Sequence, residues 1–183
     1  FKQTERLKGL IAQAIETSGM PKGLKTGGMS RFIRRAQVDG IIGMTLARLE
    51  TVYRTNTASA YNQATVEIMG KPEVASWAPL LRLVEIHDSR TRGAPGGVYR
   101  GAQPSNPGFH WQMDGYIGTA ADFQAQGLTP PNGFNCRGAV MAVTRDEADE
   151  MGLLMKDGTL DRTALARYNA SRQEIIDRGL YPD

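Results

Sequence analysis

Apolar residues recur at three- and four-residue steps over two stretches of this chain, and the rest alternates between short apolar runs and breakers. Leu7, Leu10, Ile11, Ala14 and Ile15 predict a helix over Lys2–Thr17, with Lys2, Arg6 and Lys8 on its wet side. Ser18–Gly28 holds Gly19, Pro21, Gly23, Gly27 and Gly28 and reads as a flexible connection. Ser30 is a good N-cap for the next helix. From Ile33 through Val38, Ile41, Ile42, Leu46, Leu49, Val52, Tyr53, Ala60 and Ala64 to Ile68 the helical step holds, with a bend or break expected at Gly40 or Gly43. Gly70 and Pro72 stop it.

The pattern then changes. Leu80–His87 is short, apolar and bounded by Pro79 and a turn-rich segment, which predicts a buried strand. Arg90–Phe109 is dense in Gly and Pro and reads as loop, with at most a short strand at Val98-Tyr99. Ala120–Gln126 suits one or two helical turns, and Gly138–Thr144 a second strand. Asp146 starts a short helix ending near Gly152, Asp157-Gly158 is a turn, and Leu160–Asp177 is a final helix. The fold class expected is α+β: long N-terminal helices, then a small β-sheet with loop-rich insertions, then a C-terminal helix. The divisions expected are 1–28, an N-terminal helix and linker; 29–144, the main domain; and 145–183, a C-terminal helical extension.

Composition narrows this little. The 183 residues are 40% hydrophobic and 22% charged, ordinary for a globular chain long enough to bury a core unaided. Cys136 is the only cysteine, so no internal disulfide can form, which suits a reducing compartment. No apolar run is long enough to span a bilayer, and the N-terminal stretch is amphipathic rather than a secretory signal. A first residue of Phe1 rather than Met suggests a processed or partial product. Charge is uneven: residues 1–40 carry eight Lys or Arg against three acids, and the remainder fourteen against sixteen. Arg31, Arg34 and Arg35 crowd the first turns of a helix, where they oppose its dipole; a partner's negative charge is one reason for them, and chance on an exposed, solvated turn is the other.

Three polar stretches carry more. They are Glu50–Asn62, containing Arg54-Thr55-Asn56 and Tyr61; Leu83–Arg92, containing Asp88, Arg90 and Thr91; and Pro130-Pro131-Asn132-Gly133-Phe134-Asn135-Cys136-Arg137-Gly138. In order and spacing they resemble the conserved blocks of the phage Mu F-type head morphogenesis family, over about residues 30–144. The resemblance implies a minor capsid protein that associates with the portal vertex, and with scaffold or capsid proteins, during head morphogenesis. It implies a part in DNA packaging or ejection and residence inside the virion after assembly in the bacterial cytoplasm.

The chain departs from the family in two places. The family's His or Cys after the Arg-Thr turn is replaced by Gly93–Gly97, and the second Cys of its Cys-Arg-Cys is Gly138. A structural zinc needs four sulfur or nitrogen ligands, and Cys136, His87 and His110 are too few, so no metal or cofactor is expected. The segment 101–128 is longer than the family pattern and carries no assignment.

Read physically, Asn56 falls on the apolar side of the long helix, so its amide needs partners, and Arg54, Tyr61 and Asp88 are the candidates. Asp88–Thr91 suits an Asx-type turn. Pro130-Pro131-Asn132-Gly133 suits a rigid turn that presents Cys136 to the core, with Arg137 beside it. Lys22, Lys25, Arg31, Arg34 and Arg35 are candidate contacts to DNA phosphates or an acidic portal flank. Two other functions compete. One is a small nuclease or ADP-ribosyltransferase-like toxin module using His87, Asp88 and Arg90, with Glu85 on the same strand face as His87 and Cys136 as a further nucleophile candidate. The other is a sequence-independent DNA-binding module. Neighbouring polar residues at strand spacing arise cheaply, and no phosphate loop or metal-carboxylate motif accompanies them, so a structural rather than enzymatic role is expected.

Overall fold

The computed structural model describes residues 9–13, 27–38, 45–86, 113–131 and 136–178. They divide into two units, Phe1–Ala60 and Tyr61–Asp183. The first holds α1 (residues 9–13), α2 (Gly27–Val38) and the opening turns of α3 (Leu46–Met69). Ile11, Phe32, Ala36, Leu49 and Tyr53 form its core, with Leu10, Met29, Ile33 and Val52 packed against them. The Phe32 and Tyr53 rings lie 5.4 Å apart. Helical spacing within each segment turns these residues to one side and leaves Arg34 and Arg35 exposed.

One helix boundary differs from expectation. Helix α2 starts at Gly27, so Ser30 lies inside its first turn and is not its N-cap. The first N–H groups of a helix need no intrahelical partner, so glycine is tolerated there and need not mark a break. Residues 30–69 are expected to bend or break, and residue 45 is non-helical; the Thr45 hydroxyl accepts from the Arg48 N–H at 3.3 Å as α3 begins. Gly40 and Gly43 lie outside the described residues.

The second unit contains the rest of α3, then α4 (Pro72–Ala75), β1 (Leu80–Val84), β2 (Ile117–Gly118), α5 (Ala120–Gln126), β3 (Ala139–Val143), α6 (Arg145–Glu150) and α7 (Arg162–Asp177). The three strands form an antiparallel sheet in the order β2-β1-β3. The pairing of β1 with β3 runs from Leu80 opposite Val143 to Val84 opposite Ala139. Strand alternation sends Leu81, Leu83 and Val140 to one face, against Val66, Met69, Ala120, Phe123 and Leu128. It sends Leu80, Ile117 and Val143 to the other, against Ala148, Leu153 and Leu165 of the C-terminal segment. Burial on both faces is why β1 reads as an almost unbroken apolar run. The expected strand Leu80–His87 is shorter than predicted, ending at Val84.

The mixed α and β class, the long helix, the small sheet and the C-terminal helix are all as expected. Local signals set the short helices. Thr119 and Asp122 form a reciprocal capping box on α5, which ends at Gly127 in a left-handed conformation with φ of 63°. Thr144 caps α6, and Asp161 caps α7 through the N–H groups of Thr163 and Ala164. Residues 113–128 supply β2, which the sequence pattern does not predict, and α5, at the Ala120–Gln126 where it does.

Candidate functional site

Both outer edges of the three-stranded sheet are met by an asparagine amide. On the β3 side, Asn62 of α3 donates through Nδ2 to the Gly138 carbonyl at 3.3 Å and accepts at Oδ1 from the Val140 N–H at 3.0 Å. On the β2 side, Asn169 of α7 accepts from the Ile117 N–H at 3.1 Å and donates to the Ile117 carbonyl at 2.8 Å. An amide side chain carries one acceptor and one donor, the pair an edge strand leaves open. Each asparagine therefore stands in for a further strand and ties a helix to the sheet. Asn62 is only 2% exposed.

The β1–β3 register sets the next layer. Val84 opposite Ala139 brings Glu85 alongside Gly138. Glu85 is 6% exposed, a burial carboxylates avoid without partners. Its N–H donates to Asp114 Oδ1 at 2.7 Å, and the Asp114 carbonyl accepts from Arg172 Nη1 at 2.7 Å. The Arg172 guanidinium carbon lies 6.0 Å from the centre of the Tyr116 ring. A Cβ on Gly138 would stand 2.8 Å from the Glu85 carboxyl carbon and 3.0 Å from Oε2, closer than side chains approach. The carboxylate thus occupies the space a side chain at residue 138 would fill. This gives a physical reason for glycine where the resembled motif has its second cysteine.

Parts of the three polar stretches therefore meet around Gly138: Asn62 from the first, Glu85 from the second, and Gly138 itself from the third. The members singled out from sequence fare differently. Asn56 is exposed, not buried, and its Nδ2 donates within the helix to the Val52 carbonyl at 2.8 Å. Tyr61 and Arg54 are also exposed, so among the described residues no buried cluster forms about Asn56, and Asp88, the third candidate, lies outside them. The physical reason lies in the phase of α3. Leu49 and Tyr53 set one buried stripe, but the nine-residue step to Asn62 is two and a half turns, and the stripe resumes on other positions through Val66 and Met69.

Thr55 is half-buried. Pro130 is buried and joined to Pro131 by a cis peptide bond. Cys136 is half-buried beside a half-buried Arg137, not enclosed in the core as expected. Arg34 and Arg35 are exposed on α2, whose backbone also includes Arg31. Lys22, Lys25, His87, Asp88, Arg90, Thr91, His110, Asn132 and Gly133 lie outside the described residues.

Sequence reading missed Asn62, Asn169 and Asp114. A signal for Asn62 existed: asparagine is a poor residue for a helix interior, so one deep in a long helix asks for a tertiary partner. Electrostatics elsewhere are local. Burial pushes the Asp122 carboxyl up, but bonds from the Thr119 N–H and hydroxyl, then Arg162, outweigh it and hold the group below its ordinary value. Arg82 pairs with Glu147 at 2.7 Å. Among the described residues no group of three or more His, Cys, Asp or Glu is arranged to hold a metal ion.

The fold is thus a small α+β protein in which two asparagines, Asn62 and Asn169, tie helices to a sheet. Comparison with family models, curated proteins and solved structures gives no match.

Proposed function

We propose that this chain is a phage minor head protein that docks at the portal vertex during head morphogenesis and contributes to DNA packaging or ejection. The reading rests on the three-stretch resemblance, and the observation that supports it is the convergence on Gly138. Asn62 spends both ends of its amide on the backbone of β3, and Glu85 is packed against the glycine, so these polar residues serve to hold helix and sheet in register. That use suits a docking scaffold, whose polar signature maintains shape. The partner is the portal ring, with scaffold or capsid proteins in contact, and the location is the head interior. Arg34 and Arg35, exposed on α2, are the contacts expected to meet an acidic portal flank or DNA phosphates.

The test is co-expression of the full chain with a phage portal protein, followed by purification of the portal ring. Co-elution with the ring, weakened by Arg34→Glu with Arg35→Glu, is the expected result. A ring that never retains the chain, at any salt concentration, refutes the proposal. Duplex binding measured across salt tests the DNA part: sequence-blind affinity must fall steeply as salt rises.

A further inference from the structure

One side chain clasps two turns of the second unit. Arg145 donates through Nε to the Ser76 carbonyl at 2.7 Å and through Nη1 to the Gly158 carbonyl at 2.6 Å. Its backbone N–H donates to the Trp77 carbonyl at 2.7 Å, and the Gly158 N–H donates to the Met155 carbonyl at 2.8 Å. Each clasped turn carries a large apolar side chain in the open: Trp77 is 56% exposed and Met155 is 50% exposed. Apolar groups fixed on rigid backbone lose little freedom when covered, and tryptophan, methionine and arginine are the residues enriched where proteins meet.

The surroundings say what kind of surface would cover them. Glu73, Asp146, Asp149, Glu150 and Asp157 are exposed on the adjoining segments, against Lys71 and Lys156. The complementary charge is in the same chain. Residues 1–60 carry ten Lys or Arg and four acids, while residues 61–183 carry twelve and fifteen. Four of those arginines, Arg34, Arg35, Arg48 and Arg54, are exposed on α2 and α3. A guanidinium can pair with the acidic rim and also lie over the face of an open tryptophan. Two complementary but different patches that meet between copies make a head-to-tail contact.

We propose that the Trp77–Met155 surface of one copy binds the arginines exposed on α2 and α3, Arg34, Arg35, Arg48 and Arg54, of a second copy. The contact is independent of the portal reading, and portal co-purification can succeed or fail without deciding it. The experiment is sedimentation velocity of the full chain from micromolar to several hundred micromolar, at low and high salt. The expected result is a mass that climbs beyond one chain with concentration and returns to one chain in high salt. Trp77→Ala weakens the association roughly tenfold, as loss of an interface tryptophan does.

Charge reversal supplies the second arm. Arg34→Glu with Arg48→Glu, and separately Asp146→Lys with Asp149→Lys, each abolish self-association. Mixing the two variants restores association, because the unaltered acidic rim of the first meets the unaltered arginines of the second and the two reversed patches are again opposite in charge. The substituted side chains, Trp77, Arg34, Arg48, Asp146 and Asp149, are all exposed, the half-buried Arg145 is left untouched, and unchanged near-ultraviolet circular dichroism verifies the fold. A wild-type chain that stays monomeric throughout, association indifferent to Trp77→Ala, or a mixture that remains monomeric would each overturn the proposal.

Discussion

Replacing Asn62 by alanine tests the edge-capping argument directly. The amide makes two bonds to the outer edge of β3, and Asn62, Gly138 and Val140 are all buried. Alanine leaves the Val140 N–H and the Gly138 carbonyl without partners where water does not reach. Each stranded backbone group costs about 1–3 kcal/mol. The 3.3 Å bond to Gly138 is long and belongs at the low end, while the 3.0 Å bond from Val140 is of ordinary length. Alanine returns about 0.5 kcal/mol of helix propensity. The expected net loss is about 3 kcal/mol. Urea unfolding followed by tryptophan fluorescence measures it, because both tryptophans, Trp77 and Trp111, belong to residues 61–183. Asn56→Ala is the matched control on the same helix. It removes one exposed intrahelical bond and should change stability by no more than about 0.5 kcal/mol, measured by circular dichroism. Asn62→Asp keeps the acceptor for Val140 but sets a carboxylate against the Gly138 carbonyl, so that variant should regain stability as acid protonates it. If Asn62→Ala costs less than about 1 kcal/mol, or no more than Asn56→Ala, the amide does not cap the edge and the argument fails.

Gly138→Ala should cost about 1–3 kcal/mol by displacing the Glu85 carboxylate, and the cost should shrink in a Glu85→Ala background, a coupling read from a double-mutant cycle of urea midpoints. Asp122 has its folded pKa below the ordinary value of 3.8, so the stability it adds is complete above that value and is lost as pH falls through the folded pKa. Asp122→Asn should therefore be less stable than the parent at neutral pH, by about 1 kcal/mol from the weakened cap, with the gap closing below about pH 4 in acid titrations of thermal midpoint. Arg145→Ala should cost about 1–2 kcal/mol by freeing the Ser76 and Gly158 carbonyls, and Arg145→Lys, which can reach one of them, should cost less.

What the sequence made legible follows from how locally each feature is determined. Strands β1 and β3 and helices α5, α6 and α7 announce themselves because their apolar runs and caps lie within a few residues of one another. Strand β2 does not: two residues, Ile117 and Gly118, carry no period, and they are strand only because β1 lies beside them and Asn169 closes their far edge. The same distinction separates Asn56 from Asn62. Assigning burial along α3 from one continuous stripe selects Asn56, but a helix that serves different cores before and after residue 60 has no single stripe, and only tertiary contact shows that Asn62 is the buried amide.

The candidate site was half legible for a related reason. The third stretch pointed to residues 136–138, yet its meaning depends on Glu85, fifty-three positions earlier, whose carboxylate reaches the empty space on Gly138 only through the β1–β3 register. A motif marks where backbone and polar groups must meet, and register decides which ones do. In this chain register selects a glycine, a buried acid and an edge-capping amide. Each constrains the others, since a side chain at residue 138 would push out Glu85, and loss of Asn62 would release the strand that holds Gly138 beside it.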